Sequence, residues 1–538
     1  MTEVINSSVE DISATTHSFL IGNAIADAGS TLNMSLASNS LWSGAAMNVN
    51  NLIIDSSIWD LTGSSTVNNL TNDGLIHFVP NGNNFKTLTV NNDYVGLNGT
   101  INLNTFIQGS ESLSDLIVIN SGHASGSTSL NIYNTSGLGA LTSGNGILIV
   151  DAINGGTTDN SAFNLGSPVV AGPFEYRLYR SGIDGSNEHN WYLRDVCPPD
   201  RPLCSLEPAP DTSPLVPRNA EYRSEIGLYP VLSAMTLLYG QTLLDSLHQR
   251  VGPGSSSNRI WNRAIGLHGD RNRLTNKNPL RSSDYDYNFG IIQLGGDLLQ
   301  RETEGNKRHH LGIYGAIGQG QGDVKGSNFT LGSNQFGALS AGAYWTIYSA
   351  IEAYVDTVVQ TTWYNQAQSK SYRLSALKTD GWGFAASVEG GYPIIFNKQW
   401  TIEPQAQAIV QTINLHNTKD IGAFIHFRET DAVTGRLGVR LAHKWVIDNH
   451  GQSKDFTTWI RPNLWYQFKG NPQAQFSSAY GFIPFQAQLE GSSVELNLGT
   501  SLGIGQNIAL YANGSYGVGL NMHMNSYDGR IGFKIMVA

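Results

Sequence analysis

From Trp261 to Ala538 the chain repeats one pattern about every twenty to twenty-five residues: a segment of alternating apolar and polar residues, then a polar turn. Successive side chains of a strand point to opposite faces, so sustained alternation writes a wall with one oily side and one polar side. In segment 353–364, Ala353, Val355, Val359 and Trp363 share one face, while Tyr354, Asp356 and Gln360 share the other. Ile402, Pro404, Ala406, Ala408 and Val410 oppose Glu403, Gln405 and Gln407 in the same way. Near the end, Ile508, Leu510, Ala512 and Tyr516 oppose Asn513 and Ser515, and Ile531, Phe533, Ile535 and Val537 oppose Lys534. About twelve such segments are present, an even number, as a single-chain outer-membrane barrel requires. Carboxylates and amides on the inner face predict water there. Trp261, Trp345, Trp363, Trp400, Trp459 and Trp465 suit the two interfacial girdles, with ordinary packing as the other reading.

A soluble β-sandwich or lipocalin-like barrel also alternates. Against it stand segments of ten residues or more, matching the ~9–11 that cross a tilted membrane wall rather than the ~5–6 of soluble strands. Charges such as Asp356, Glu403 and Arg440 on the inner face disfavour a dry core. Short turns such as Asn397-Lys-Gln alternate with longer polar ones such as Asn471-Pro-Gln-Ala-Gln.

The 59 glycines and 14% charged residues among 538 are unlike a helical cytosolic enzyme, and the net charge of −10 gives no support to nucleic-acid binding. No run of about eighteen apolar residues offers a transmembrane helix. Residues 1–6 lack the basic start and apolar core of a signal peptide, so either a leader was removed upstream or the reading frame is truncated.

Residues 1–195 have another texture, rich in Asn, Ser, Thr and Gly, with Lys86 the only basic residue before Arg177. Short apolar runs recur, among them Leu52-Ile-Ile54, Leu88-Thr-Val90, Leu116-Ile-Val-Ile119 and Leu130-Asn-Ile132, each followed by Asn-, Gly- or Ser-rich residues. That spacing predicts a parallel β-helix whose rungs bury short strands, and the repeated Leu, Ile and Val argue against a disordered polar tract.

A proline-rich linker spans 196–219 and carries the only cysteines, Cys197 and Cys204. In an oxidising periplasm the two would pair as a candidate disulfide around a small loop; a metal site would need further ligands. In 220–251, Leu228, Leu232, Met235, Tyr239, Leu243 and Leu247 fall at helical spacing and Gly252 supplies a stop. Proline is best tolerated in a first helical turn, so the regular helix is expected to begin at Pro230.

The helix segment, followed by Trp261-Asn-Arg, Gly381-Trp-Gly-Phe, Val388-Glu-Gly-Gly-Tyr-Pro, Trp400-Thr-Ile-Glu-Pro-Gln-Ala-Gln and Arg436-Leu-Gly-Val-Arg-Leu, resembles the translocator of monomeric autotransporters, the type V secretion proteins with a pertactin-like passenger end. Phe85–Val90, Ser114–Ile119, Tyr176-Arg-Leu and Trp191-Tyr-Leu-Arg resemble the autochaperone part of such a passenger. The resemblance implies an all-β chain: a parallel β-helix passenger at 1–195 (autochaperone-like from about 85), a pore helix at 220–251, and a 12-stranded antiparallel transmembrane β-barrel at 258–538. It implies an outer-membrane location with the passenger at the cell surface or secreted. The partners it implies are outer-membrane lipid and lipopolysaccharide, barrel-assembly machinery and periplasmic chaperones, a host surface or matrix ligand, no cofactor, no nucleic acid, and a monomeric barrel. Gly532, Phe533, Ile535 and Val537 fit the spacing of the C-terminal insertion signal, although the family ends on an aromatic residue and this chain on Val537-Ala538.

Enzymatic readings find little purchase. Gly499-Thr-Ser501-Leu-Gly503 and Gly315-Ala-Ile-Gly-Gln-Gly-Gln-Gly322 imitate a nucleophile elbow and a phosphate loop but lie inside alternating strands. His309 and His310 would face opposite ways. Cleavage of the linker by Asn219 and Glu225 with Asp356 or Glu403 is conceivable, yet lumen acids are ordinarily hydrated wall. The sequence therefore points to a secretion device displaying an adhesin or host-interaction passenger, without catalytic residues. Its alternative is the stem and translocator of an autotransporter whose protease or esterase passenger lies upstream.

Overall fold

The computed structural model describes residues 2–110, 112–196, 220–252, 258–272, 283–303, 305–326, 330–397, 399–449, 452–504, 507–521 and 523–537. Cys197, Cys204, Asn219 and nearly all of the linker lie outside the described residues.

The first part is a stack of parallel strands. Val49–Leu61, Ser65–Phe78, Tyr94–Thr105 and His123–Asn134 lie side by side in register. Leu52, Leu70, Tyr94 and Ala124 follow one another up one inward column, and Trp59, Ile76, Ile101 and Leu130 up a second. A third column, Val49, Val67, Val90 and Ile119, comes from the opposite wall. All twelve of these side chains are buried. Each rung thus covers the apolar face of the last, which no rung could do alone. Trp42 and Trp59 stack with centroids 4.9 Å apart, and their indole nitrogens donate to the carbonyls of Gly22 and Gly44. Gly126 has φ +83°, and a Cβ there would lie 2.1 Å from the Gly96 carbonyl oxygen, so the rungs can approach only through glycine. Parallel stacking then ends: Val169–Ala171, Phe174–Arg180 and Trp191–Arg194 form an antiparallel meander that pairs with Ile147–Ile153.

The second part is an antiparallel barrel. Its strands are Asn258–Asn272, Asp284–Thr303, Lys307–Lys325, Thr330–Tyr348, Tyr354–Ser371, Leu377–Gly391, Trp400–Leu415, Thr430–Asn449, Gln452–Lys469, Gly491–Ile504, Ile508–Gly519 and His523–Val537. The first pairs with the last from Asn258↔Val537 to Asn272↔His523, so the wall has no free edge. Ile292, Ile317, Leu339, Trp363, Leu437 and Ile531 project outward and exposed. Among the described residues no helix is long and apolar enough to cross a membrane, and the spanning elements are these strands. At one rim, Thr418–Lys419, Phe424–Phe427, Gln473–Ser478 and Gly481–Gln486 leave the wall and build a four-stranded collar.

Three expectations need correction. The lumen is not simply wet: Glu403, Gln405 and Gln407 point inward but are buried, because a helical segment fills the pore, Glu403 meeting His248 and Gln407 the Asp245 carbonyl while Gln405 bonds Glu403 and Arg436 of the wall. Trp261, Trp459 and Trp465 also point inward rather than to a girdle, since their positions share the lumen parity of each strand. The helix begins at Glu225, not Pro230, and is interrupted. α1 covers Glu225–Leu244 with Pro230 inside it, and α2 covers Leu247–Val251. Asp245 between them adopts φ 54°, which turns the chain. Packing on all sides by the barrel overrides the proline's preference for a first turn.

The occupied pore and its outer collar

α1 is apolar around most of its circumference because it meets the wall and the collar everywhere but along a cleft at Leu238, Gln241 and Thr242. Leu228, Leu232, Met235, Tyr239 and Leu243 are buried on it, and Leu247 is buried on α2. At twenty residues α1 is about 30 Å long, the thickness of a hydrocarbon core. The Tyr239 ring stands edge-on to Phe289, Phe336 and Tyr364 at 5.7, 5.6 and 6.0 Å. The glycine-rich stretch that imitated a phosphate loop serves this packing: a Cβ on Gly318 would lie 2.4 Å from the Tyr239 hydroxyl. Barrel amides and hydroxyls donate to helix carbonyls along the length of the helix. Asn334 reaches Leu228 O at 2.9 Å, Tyr364 reaches Thr236 O at 2.7 Å, Gln360 reaches Gly240 O at 2.9 Å, and Arg263 reaches Leu243 O at 2.8 Å.

Below α1 the chemistry changes to paired charge. The Asp245 carboxylate accepts from Arg263 at 2.8 Å and from Arg530 at 2.7 Å. Both Asp356 oxygens accept from Arg250 Nη2 at 2.8 Å, and Thr346 donates to Asp356 at 2.6 Å. His248 meets Glu403 at 2.8 Å, and Glu389 accepts the Leu247 backbone N–H at 2.8 Å while pairing with Arg436 at 3.1 Å. Arg461 donates to Ser246 Oγ at 2.8 Å and also to Gln249. Tyr511 holds the Arg250 carbonyl at 3.0 Å, and Gly532 leaves room for its ring, since a Cβ there would lie 2.5 Å from the hydroxyl. Burying so many charges is tolerable because each has a partner of opposite sign or a strong dipole. Beside α1 a cleft of about 120 Å³ remains, reaching the Asp245–Arg530 pair and bordered also by Gln241, Trp465, Glu495 and Asp528.

At the opposite rim the collar grips the solenoid and the start of the helix. Arg223 pairs with Asp420 at 2.9 Å, and Tyr229 donates to the same carboxylate at 2.6 Å while stacking on Phe476 at 5.5 Å. Gly172 N–H donates to Gly422 O at 2.7 Å, and Ala479 N–H to Gly139 O at 2.9 Å. Arg373 forks onto Glu175 at 2.8 and 2.6 Å. Phe174 lies between Tyr222 and Tyr480, with centroids 5.6 and 6.4 Å away.

The structure brings together the helix residues read from sequence, apart from the break before Leu247. Gly532, Phe533 and Ile535 lie on the last strand, with Phe533 and Ile535 facing outward, and Val537 ends it. Glu225 hydrogen bonds Ser371 near the collar, far along the pore from Asp356 and Glu403, so the candidate cleavage acids are not assembled. Ser501 and the Gly499–Gly503 stretch lie on a barrel strand, and His309 and His310 face opposite ways, His310 meeting Asp297 at 2.8 Å. Sequence reasoning missed the seat of α2 and the collar contacts. Inward parity with charge at Arg263, Glu389, Arg436 and Arg461 was the available signal for the first.

The autochaperone domain type 1 family matches residues 65–178, and the autotransporter beta-domain family matches residues 260–515. The chain is 30% identical over 452 residues to the adhesin BmaC autotransporter of Brucella suis biovar 1 (strain 1330), covering 78% of this chain and 12% of that protein. It is 31% identical over 413 residues to the uncharacterized protein YdeU of Escherichia coli (strain K12), covering 70% of this chain and 84% of that one. In fold it is similar to the transport unit of the Escherichia coli autotransporter AIDA-I, with TM-score 0.50 and 22% identity over 59% of this chain and 100% of that unit. With a closed barrel around its own helix and a solenoid gripped at one rim, the chain belongs to the autotransporter family, its barrel in the outer membrane mediating export and surface display of the passenger.

Proposed function

We propose that the displayed passenger is an adhesive, non-catalytic surface that binds a host-cell or matrix ligand. The observation that carries this is a groove of about 370 Å³ on the exposed flank of the solenoid, where Asp11, Asn33, Asn51 and Asn69 form a polar ladder beside the apolar Ile12 and Ile53. Asn33 donates to Asp11 at 2.8 Å, Asn51 to Asn33 at 2.9 Å, and Asn69 to Asn51 at 3.0 Å, which lines up amide groups at the spacing of the rungs. Such a ruled surface suits repeated hydrogen bonding to an extended or carbohydrate-bearing partner. The adhesin name of the Brucella relative supports the same class, although the chain spans only 12% of that protein.

The reading divides the chain into a passenger at 1–195, a linker at 196–219 with Cys197 and Cys204 as a candidate disulfide, a pore helix at 220–251 and a barrel at 258–538. The barrel is delivered by periplasmic chaperones and inserted as a monomer by barrel-assembly machinery that reads Gly532, Phe533, Ile535 and Val537. It then rests among lipopolysaccharide and phospholipid.

The test is display of the chain behind a signal peptide on a non-adherent bacterium. Its adherence to epithelial monolayers and to immobilised matrix proteins is compared with that of cells displaying residues 218–538 alone. Adherence that depends on the passenger and falls with Asn51→Lys supports the assignment. Equal adherence by both strains sinks it and favours a stem whose enzymatic part lies upstream.

A further inference from the structure

The outer face of a membrane barrel normally turns its cations to the rims, where they are solvated or paired. Arg301 lies at such a rim, and a bulge brings it there. In the second barrel strand, Asp284–Thr303, the register slips between Asp297 and Leu299, so a bulge at Leu298 shifts the pattern of faces by one. Before the bulge the even positions Ile292 and Leu294 face outward; after it the odd positions Leu299 and Arg301 do. Without the extra residue, Arg301 would share the lumen parity of Ile291 and Gln293. The bulge delivers an arginine to the lipid side.

Arg301 makes no hydrogen bond or ion pair among the described residues, whereas neighbouring Arg308 is paired with Glu352. Arg301 lies opposite His309, and His309 opposite Ile347, in one row across three strands. In the adjoining row Leu299 lies opposite Leu311, and Leu311 opposite Trp345. Trp345 stacks on His309 at 6.0 Å with the planes 23° apart, and His309 meets Thr303 Oγ1 at 3.3 Å. Together these residues border an outward-facing groove of about 380 Å³. The first row is basic at Arg301 and His309 and apolar at Ile347, and the second begins the apolar band that continues through Ile313 and Ile317. The boundary between headgroup and acyl chain therefore falls between them. Glu302 lies on the strand face opposite to Arg301, Glu352 is engaged by Arg308, and Lys307 adds further positive charge at the turn.

The collar and solenoid sit at the other end of the barrel, so this rim faces the periplasm and the phospholipid leaflet. We propose that the groove is a binding site for one anionic phospholipid of the periplasmic leaflet, its phosphate on the Arg301 guanidinium and His309, its upper acyl chain along Leu299, Leu311 and Trp345. The guanidinium fork matches a phosphate oxygen pair, and an apolar surround that thins the competing water strengthens the contact. Trp345 supplies the flat interfacial surface that holds the glycerol region.

The test uses the full chain, purified in mild detergent, stripped of lipid and examined by native mass spectrometry with added dioleoylphosphatidylglycerol or dioleoylphosphatidylethanolamine. One retained phosphatidylglycerol per chain is expected, in preference to phosphatidylethanolamine. Arg301→Gln should lower that retention about tenfold or more, the value of one charge-assisted hydrogen bond. Lys444→Gln removes a cation of the same rim that is already paired with Asp455 at 2.9 Å, and should leave retention unchanged. Equal retention of the two lipids, equal loss in both variants, or preferential retention of lipid A overturns the site. Should Arg301→Gln fail to give a heat-modifiable barrel, the preference of the unaltered protein between the two lipids decides alone.

Discussion

The buried pair between Arg250 and Asp356 should be the main anchor of α2, and a double-mutant cycle can measure it. The guanidinium is fully buried and the carboxylate nearly so, with both oxygens on Arg250 Nη2 at 2.8 Å. Arg250→Met leaves Asp356 with the Thr346 hydroxyl as its remaining donor in a site closed to solvent. Stranding one buried charge costs about 3–5 kcal/mol, which shifts the equilibrium between seated and loosened α2 by about two to three and a half powers of ten. Asp356→Leu should cost about as much by stranding the cation, which keeps only its contact with Tyr344, 5.0 Å from the ring. The double variant Arg250→Met/Asp356→Leu removes both charges and should recover most of the loss, since apolar replacement of a buried pair is often neutral. The assay is single-channel recording in planar bilayers. The parent and the double variant should stay near the small conductance permitted by the cleft beside α1, and each single variant should flicker open. The temperature at which fast electrophoretic migration is lost should rank the four proteins in the same order. Additive effects, with the double variant worse than either single, would refute the anchor.

Other outcomes follow from the same contacts. A Cβ on Gly240 would lie 2.7 Å from Gln411 Nε2, so Gly240→Leu should destabilise the seated helix by about 1–3 kcal/mol. Gly240→Ala should be nearly neutral because helix propensity returns about 1 kcal/mol; the loss of heat-modifiable migration reports both. Trp59→Ala opens the stacked pair with Trp42 and should cost the passenger about 3–5 kcal/mol, seen as protease sensitivity at the cell surface with barrel mobility unchanged. Burial pushes the Asp195 carboxyl up to about 6 from 3.8, with hydrogen bonds from Thr142 opposing and Glu221 adding to the shift. The native state then holds this proton more tightly than the unfolded chain does. Its contribution is therefore most favourable below pH 4 and falls by about 3 kcal/mol as pH rises through 6. Passenger stability in urea should drop between pH 5 and 7.5, and Asp195→Asn should flatten that drop; an unchanged slope refutes it.

The barrel was legible because its constraint is local. A strand's faces alternate residue by residue, so Ile402 and Glu403 declare opposite environments without knowledge of their neighbours. The solenoid was legible for a related reason, since Leu52, Leu70 and Tyr94 each head a similar short strand. What parity cannot reveal is the occupant of the lumen. Trp261 and Trp459 read as girdle residues by composition, and only the helix inside explains inward indoles that hydrogen bond Tyr344 and Asn497. The break at Asp245 was likewise invisible, because the leucine spacing runs on through Leu247 while the turn is imposed by Arg263 and Arg530, which are distant in sequence. The bulge at Leu298 shows the reverse case, where one extra residue inverts a pattern that the sequence presents as continuous.

The distribution of charge along the helix explains why the exported chain comes to rest in one register. Between Ile226 and Leu244 the sequence carries no charged residue, so the wall holds that stretch through ring contacts and hydrogen bonds to helix carbonyls rather than through ion pairs. Charges flank it at both ends: Arg223 and Glu225 toward the collar, Asp245 and Arg250 toward the periplasm. A displacement of one helical turn, about 5.4 Å, would pull Arg223 from Asp420 and Arg250 from Asp356 together. Each separation exposes buried charges to an unmatched wall at a cost of several kcal/mol, and neither end can relax without the other. Stacking of the solenoid beyond the collar disfavours return of the passenger, because each added rung removes apolar surface from water. The two effects bear on different steps: rung burial favours the outward position of the passenger, and the paired charges favour the register in which the helix sits.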